Sequence, residues 1–406
     1  MADFHIAALD IGTARARAVI ADQLDDGSLI ARGIADVASD GLEKSLIVDF
    51  PVACDVVRNA IAAAEDDAQL KISDVYLVLS HPDVRPAVQT GTVHITNPSG
   101  EVTEADIDAA AEAARQARLP PDRTVIHSIA QDFSVDGHEG ILDPRGMSGN
   151  VLRHRMLILH GDTTALDNRV RCAASAQVNV LDSAFGGLCA ALAALSPAQK
   201  AAGAVVIDLG AGSTSFVVYA NRSLVHAGSL GIGGNHLTND LAWGLRLSFR
   251  QAEQLKLEYG SALPRARDEH RSVSLEADGA FPARMVRLSD AHAILHARMD
   301  ELLRWVRSQV DAVGALHRIG GGLVLTGGGA RLDSADKLAG RLFNAPCVVG
   351  RPAGIAGLSG EAAGPAFASV CGMLRYAAMQ QPGPPRRRGW RRWFDRLLGA
   401  NGEPVT

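Results

Sequence analysis

Asp208-Leu209-Gly210-Ala211-Gly212-Ser213-Thr214 follows the apolar run Ala204-Val205-Val206-Ile207 and precedes a second run, Phe216-Val217-Val218-Tyr219. A short apolar run ending on Asp reads as a central strand of an α/β sheet, covered on both faces. The turn between the runs is rich in glycine, which has no Cβ to hold a ligand off. Its backbone N–H groups can therefore approach phosphate oxygens, and Ser213 and Thr214 add hydroxyl donors. About 200 residues earlier the theme occurs first: a strand-like Phe4–Asp10, the turn Ile11-Gly12-Thr13, and a return strand over 15–21. Asp-x-Gly-Thr at 10–13 and Asp-x-Gly-x-Gly-Ser-Thr at 208–214 thus form an internal duplication. A third turn, Thr326-Gly327-Gly328-Gly329-Ala330, follows the apolar run 322–326.

One such turn alone is ordinarily a hairpin. Three in this order, each after a buried-type strand, specify far more. Asp10 and Asp208 end their strands and are expected to face each other across a cleft. There they would hold a divalent cation, Mg2+, through water, since that ion favours carboxylates and waters. Gly327, Gly328 and Gly329 would let an adenine lie against backbone.

At 406 residues the chain exceeds one small core and is expected to form two or more domains. Only 4% of residues are aromatic, so Ala, Val, Ile and Leu must fill the interior. Between Arg386 and Leu398 six Arg and one Asp give +5, leaving −10 for the rest of a chain whose total is −5. An acidic body argues against nucleic acid, and a basic tail argues for an acidic surface. The five cysteines, Cys54, Cys172, Cys189, Cys347 and Cys371, are odd in number and never two apart, which suggests neither disulfides nor zinc and fits a reducing cytoplasm. No signal peptide and no apolar run of ~20 residues is read, so no bilayer span is expected.

Between the loops, Pro51–Ala64 reads as a helix with Val52, Val56, Ala60 and Ala63 on its apolar face, and 75–80 as a strand. The segment from His81 to His160 has another texture. A helix starts at Thr103 with Asp106 three residues on, a capping-box signal, a strand covers 123–134, and a Gly-rich turn covers 137–149. It reads as a small βαββ-type insertion without a phosphate loop. Asp182, ahead of a helix linking the halves, is open to two readings, an N-cap or a water-orienting carboxylate. The segment Arg284–Val313 is helical by periodicity. His292 and His296, at i and i+4, have zinc spacing but lack a third ligand, so a solvated helix face is the better reading.

Together these motifs resemble the phosphate-1, phosphate-2 and adenosine loops of the actin, Hsp70 and sugar-kinase superfamily. Ala8–Val19, Gln131-Asp132-Phe133 with Gly146–Gly149, Gly233–Asp240 and Ala252–Lys256 narrow the resemblance to the FtsA family. It implies an α/β, actin-like two-lobed ATPase fold with an inserted 1C-type subdomain in place of 1B. The implied division is 1–81 and 161–202 for subdomain 1A, 82–160 for 1C, 203–235 and 321–379 for 2A with a closing helix, and 236–320 for 2B. A linker, 380–385, and a tail, 386–406, follow. The implied nucleotide residues are Asp10, Gly12, Thr13, Arg15 (where the family has Lys), Asp208, Gly210, Gly212, Ser213, Thr214, Gly234, Asn235, Glu253, Lys256 and Gly327–Gly329. Pro197-Ala198-Gln199-Lys200 stands where the family has acidic residues, so the resemblance implies ATP binding with slow turnover at most, and no catalytic residue is assigned.

In the tail, Trp390, Trp393, Phe394, Leu397 and Leu398 fall on one helical face beside Arg391 and Arg392, behind Gln-Gln-Pro-Gly-Pro-Pro. That pattern reads as an amphipathic helix for an anionic membrane surface. The resemblance implies a cell-division protein on the cytoplasmic face of the inner membrane, at the division site, that polymerises through the inserted subdomain and the lobes, anchors FtsZ and meets other division proteins. The FtsZ C-terminal peptide, acidic and apolar, would meet a basic helix face with Arg284, Arg287, Arg298 and Arg304. Arg298 matches a family Arg by its place before Met299-Asp300-Glu301. The alternatives are a PilM-like adaptor of another envelope machine, against which the tail helix tells, and a small-molecule kinase, for which no catalytic Asp or substrate pocket is found.

Overall fold

The structure is a computed structural model and describes residues 4–116, 119–220 and 222–380. The tail at 386–406 and the linker beyond Gln380 lie outside the described residues, and with them the membrane-facing residues expected from the sequence.

Phe4–Ile11 (β1), Arg15–Gln23 (β2) and Leu29–Ala38 (β3) form an antiparallel meander. Leu42–Glu43 (β4) and Leu46–Ile47 (β5) make a small hairpin, and Phe50–Ala68 (α1) leads to Asp74–Leu79 (β6), parallel to β1. Arg85–His94 (β7), Glu104–Arg115 (α2), Arg123–Val135 (β8), His138–Ile141 (β9) and Val151–Asp162 (β10) follow. The chain returns through Thr163–Ala174 (α3) to Asn179–Phe185 (β11), then Gly186–Ala194 (α4) and Pro197–Ala202 (α5). A second meander, Ala204–Leu209 (β12), Thr214–Ala220 (β13) and Ser223–Leu230 (β14), opens the other half. Gly234–Leu245 (α6), Phe249–Tyr259 (α7), the ribbon Ser272–Leu275 (β15) and Arg284–Arg287 (β16), and Leu288–Ala312 (α8) come next. Leu323–Thr326 (β17), Ala335–Phe343 (α9), Cys347–Val349 (β18), Ile355–Ala356 (β19) and Ala368–Gln380 (α10) complete the described chain.

The duplication seen in the loops extends to the sheets. The first runs β11-β6-β1-β2-β3-β19 and the second β18-β17-β12-β13-β14, so β1 and β12 hold the same place, as do β2 and β13. Each half carries a late helix, α4 or α10, and these two lie together between the sheets. One apolar core there takes Ala8, Val19 and Val78 from the first sheet, Val206, Val217 and Val324 from the second, and Leu188, Leu192, Val370 and Leu374 from the helices. A Cβ on Gly372 would stand 1.7 Å from the Cys189 carbonyl oxygen, so this close crossing depends on glycine.

The segment 85–162 is a separate four-stranded sheet, β7-β10-β8-β9, backed by α2 with its own core of Ile107, Ala110, Phe133 and Leu152. Thr103 and Asp106 form the expected capping box, and the Gly-rich turn carries the short strand β9. The sheet belongs by chain to the first half, yet it touches the second. Ser229 N–H on β14 donates to Val84 O at 3.2 Å, Val84 N–H donates to Ser229 Oγ at 2.7 Å, and Gln131 Nε2 donates to Leu224 O at 2.8 Å.

Three local expectations need correction. α1 buries Ala53, Val57, Ile61 and Ala64 along with Val56 and Ala60, while Val52 and Ala63 are exposed, because the helix packs on β3 through a face turned from the expected one. The segment 284–313 is not one helix. Arg284–Arg287 pairs with Ser272–Leu275 as a strand and α8 begins only at Leu288, since Met285 and Val286 alternate outward and inward at period two. Asp182 is no N-cap. It lies within β11 and accepts from Tyr376 Oη at 3.0 Å.

Candidate nucleotide site

β1 and β12 end side by side, and their hairpins turn in the same way. Gly12 N–H donates to Arg15 O at 3.1 Å, and Gly210 N–H donates to Ser213 O at 3.0 Å. Asp10 and Asp208 stand at the two strand ends. Asp10 is buried and Asp208 partly so. Burial raises the pKa of Asp10, and raises that of Asp208 to about 6, with the Asp10 charge adding to the push. Ser369 Oγ donates to Asp208 Oδ2 at 2.7 Å, Thr326 Oγ1 donates to its other oxygen at 3.4 Å, and Ser80 Oγ reaches Asp10 at 3.5 Å. Arg17, opposite Asp10 on β2, favours ionisation of both carboxylates. Two partly desolvated carboxylates with hydroxyls around them and few protein ligands suit a Mg2+ ion that keeps its waters.

The third loop packs against the second. A Cβ on Gly327 would fall 2.4 Å from Asp208 Oδ1, and one on Gly329 2.9 Å from Leu209 Cβ, whereas Gly328 faces open space. The outer glycines let two backbones meet, and the middle one presents a bare surface on which a flat base could lie.

Gly233 and Gly234 open α6 against the second loop. Gly234 N–H donates to Gly210 O at 2.9 Å and Asn235 N–H to Ala211 O at 2.8 Å, so these two donors are engaged by protein. Lys256 Nζ donates to Gly234 O at 3.1 Å, Thr238 Oγ1 at 2.8 Å and Glu253 Oε2 at 2.7 Å. Glu253 and Lys256 are therefore a cross-link between α6 and α7 at the edge of the loop and not a free surface pair. Thr214 is buried and its hydroxyl donates to Ile232 O at 2.8 Å, so it too is engaged by protein. Arg15 turns to β3, where Nε donates to Asp36 Oδ1 at 3.0 Å and Nη2 to its carbonyl at 2.6 Å.

Two residues that the sequence reading passes over enter the site. Ser45, at the tip of the β4–β5 hairpin, shares a hydrogen bond of 2.7 Å between its Oγ and Ser213 Oγ, and donates its N–H to Thr13 Oγ1 at 3.0 Å. Arg169 on α3 is 1% exposed and donates from Nη1 to Ile11 O at 2.9 Å and from Nη2 to Ser45 O at 2.6 Å. Burial lowers its pKa to about 10, with the Asp10 charge opposing. No motif flags either residue, since the contacts join segments far apart in the chain, from 32 residues for Ser45 and Thr13 to 168 for Ser45 and Ser213.

The expected partner-facing arginines lie on different elements. Arg284 is on β16 and donates to Arg246 O at 2.9 Å. Arg298 on α8 binds Asp240 through Nε at 2.6 Å and Nη2 at 3.1 Å, and Glu301 through Nη1 at 2.5 Å. His292 and His296 bond the carbonyls of Tyr259 and Ala262 at 2.9 and 2.8 Å.

Residues 205–372 match the model of the cell division protein FtsA family, and residues 83–160 match that of the SHS2 domain inserted in FtsA. The chain is 35% identical over 349 residues to the cell division protein FtsA of Rhizobium meliloti, covering 85% of this chain and 78% of that one. It is 29% identical to the Pseudomonas aeruginosa FtsA, with 93% and 90% covered, and 28% identical to that of Escherichia coli K12, with 91% and 90% covered. Among solved structures, the PilM–PilN type IV pilus biogenesis complex aligns with a TM-score of 0.62 at 17% identity, over 93% of this chain and 99% of the other. MreB5 of Spiroplasma citri bound to ADP aligns at 0.50 and 15%, over 92% and 95%. These likenesses show the actin-like fold, and with the insertion and the identity over most of the chain they establish that this protein belongs to the FtsA family of cell division proteins.

Proposed function

We propose that this protein binds ATP with Mg2+ between its two halves and works as a nucleotide-switched assembly protein in cell division. The observation that carries the reading is the pair of equivalent strand ends, Asp10 and Asp208, each followed by a hairpin with the same glycine hydrogen bond, with Gly328 open on the third loop beside them. A neighbour of the same fold was solved with ADP. Asp10 and Asp208 would hold the hydrated cation, while Thr13, Ser213 and the glycine backbones would receive phosphate oxygens. The bound cation would neutralise phosphate charge. No residue is assigned as a general base beside these loops, so the reading is a switch with turnover below about 1 per second.

In this reading the chain polymerises, sits on the inner face of the membrane through Trp390, Trp393, Phe394, Leu397 and Leu398, and holds FtsZ there through the basic residues Arg284 and Arg298. No described helix is long and apolar enough to cross a membrane. Family membership supports the division role. Calorimetric titration with Mg-ATP tests the site: Asp208→Ala and Gly328→Val should each weaken binding at least about tenfold, the loss of ~1.4 kcal/mol. Unchanged affinity in both variants would remove the site.

A further inference from the structure

We propose that the Lys44–Ser45 turn is a specificity element of the phosphate site: Ser45 stands where the terminal phosphate of a nucleoside triphosphate is received, so a triphosphate displaces it and a diphosphate leaves it in place. The inference rests on the ATP reading above.

The third loop fixes one end of the site. Gly327 and Gly329 lie on Asp208 and Leu209, so a base on Gly328 sits at the start of the second loop. Further along that loop, Gly210 and Ala211 meet the start of α6. At its far end, a Cβ on Gly212 would fall 2.2 Å from Thr13 Oγ1 and 2.7 Å from Ser45 N. A phosphate chain laid along the loop from the base thus brings its last member to Gly212, Ser213 and Thr13. The hydroxyls of Ser213 and Thr13 are the groups such a phosphate meets, and Ser45 occupies both: its Oγ shares a hydrogen bond with Ser213 Oγ and its N–H donates to Thr13 Oγ1. Its Oγ holds the place of a phosphate oxygen.

The backbone of this turn is under constraint. Lys44 and Ser45 have φ of 48° and 63°, the left-handed region that a two-residue hairpin of this kind fills best with Asn-Gly. Ser45 is 3% exposed and tied at three atoms: its N–H to Thr13, its Oγ to Ser213, its carbonyl to Arg169. A short hairpin between β3 and α1, with only two residues in each strand, has few other bonds holding it. The charge of exposed Lys44 is felt by His236 on α6 in the opposite half, so the turn bridges the cleft. Withdrawing its N–H and Oγ from Thr13 and Ser213 exchanges two neutral hydrogen bonds for charge-assisted ones to phosphate.

The test measures ATP and ADP affinities, each with Mg2+, for the full chain, Ser45→Ala and Ser45→Gly. Glycine adopts the left-handed turn freely and keeps the test intact should the alanine variant fold poorly. Removing the hydroxyl should tighten ATP binding about 3- to 10-fold, the scale of one net hydrogen bond, and leave ADP unchanged. Equal tightening of both nucleotides overturns the discrimination, and weaker ATP binding makes Ser45 a phosphate ligand and overturns the proposal. If neither nucleotide binds any of the three chains, the ATP reading itself falls, and this inference with it.

Discussion

Asp208→Asn should change how stability depends on pH. In the folded protein burial and the neighbouring Asp10 charge hold the Asp208 pKa at about 6, against an ordinary 3.8. A pKa raised on folding means that the folded state binds the proton more tightly than the unfolded chain. The associated stabilisation is complete below about pH 4 and is lost as pH rises through 6, about 3 kcal/mol in all. Between pH 5 and pH 7 the part lost is about 1.3 kcal/mol. Asn keeps an acceptor for Ser369 and carries no charge, so the variant lacks this loss. His81, His127 and His154, each with a pKa lowered to about 4 by burial, gain stability over the same range, but they do so in both chains and cancel in the difference. Urea unfolding at pH 5 and pH 7 gives the double difference: the wild type should lose about 1.3 kcal/mol more than Asp208→Asn. A carboxylate that must ionise to hold Mg2+ should also make Mg-ATP affinity fall below pH 6, by up to about tenfold per pH unit. Parallel pH profiles in the two chains would mean that Asp208 titrates as an ordinary surface acid, and the desolvated cation site would have to be given up.

Gly372→Ala should cost about 3 kcal/mol or more in thermal or urea unfolding, because its methyl group would meet the Cys189 carbonyl at 1.7 Å; a loss below about 1 kcal/mol would show that α4 and α10 part easily. Gly328→Val, pointing into open space, should leave stability within about 0.5 kcal/mol of wild type while weakening ATP, whereas Gly327→Ala, at φ 80° and against Asp208, should destabilise clearly in the same unfolding assay. Arg298→Glu should lower stability by about 1–2 kcal/mol, since it sets a third carboxylate between Asp240 and Glu301. Both it and Arg284→Glu should weaken FtsZ-tail peptide binding in fluorescence anisotropy, and retention of binding by both would remove this face as the contact. Trp393→Glu should release the protein from anionic vesicles on sedimentation with ATP binding unchanged; equal sedimentation would refute the membrane role of the tail.

The duplicated loops were legible because the chemistry is local. Asp10 to Thr13 and Asp208 to Thr214 are contiguous, and their flanking strands are apolar enough to be read without doubt of type. The capping box at Thr103 was legible for the same reason. The face of α1 was not, because alanine is apolar enough for either side and only the packing on β3 chooses between Val52 and Ala53. The boundary at Leu288 was missed because Arg284–Arg287 is too short to show a period of its own and borrows that of the helix after it. Ser45 and Arg169 were invisible in principle: a serine in a polar turn and an arginine on a helix gain meaning only when folding brings 45, 169 and 213 to one point.

The insert, 85–162, is joined to the first sheet by covalent chain at both its ends and to β14 of the second sheet by the bond at Gln131 and by the two at Val84, the residue just ahead of β7. Mechanically it is the third side of a triangle whose other sides are the two sheets and whose apex is the crossing at Gly372. A triangle cannot change one angle alone. Any rotation of the halves about that apex must either swing the insert or break three hydrogen bonds, which at about 1 kcal/mol each is within reach of a bound ligand. A rotation of the halves that swings the insert would carry its far end, near the exposed Leu142 and Met147, through a longer arc than the cleft itself. Two labels, one on that tip and one on α9, would read the state of the cleft from outside it.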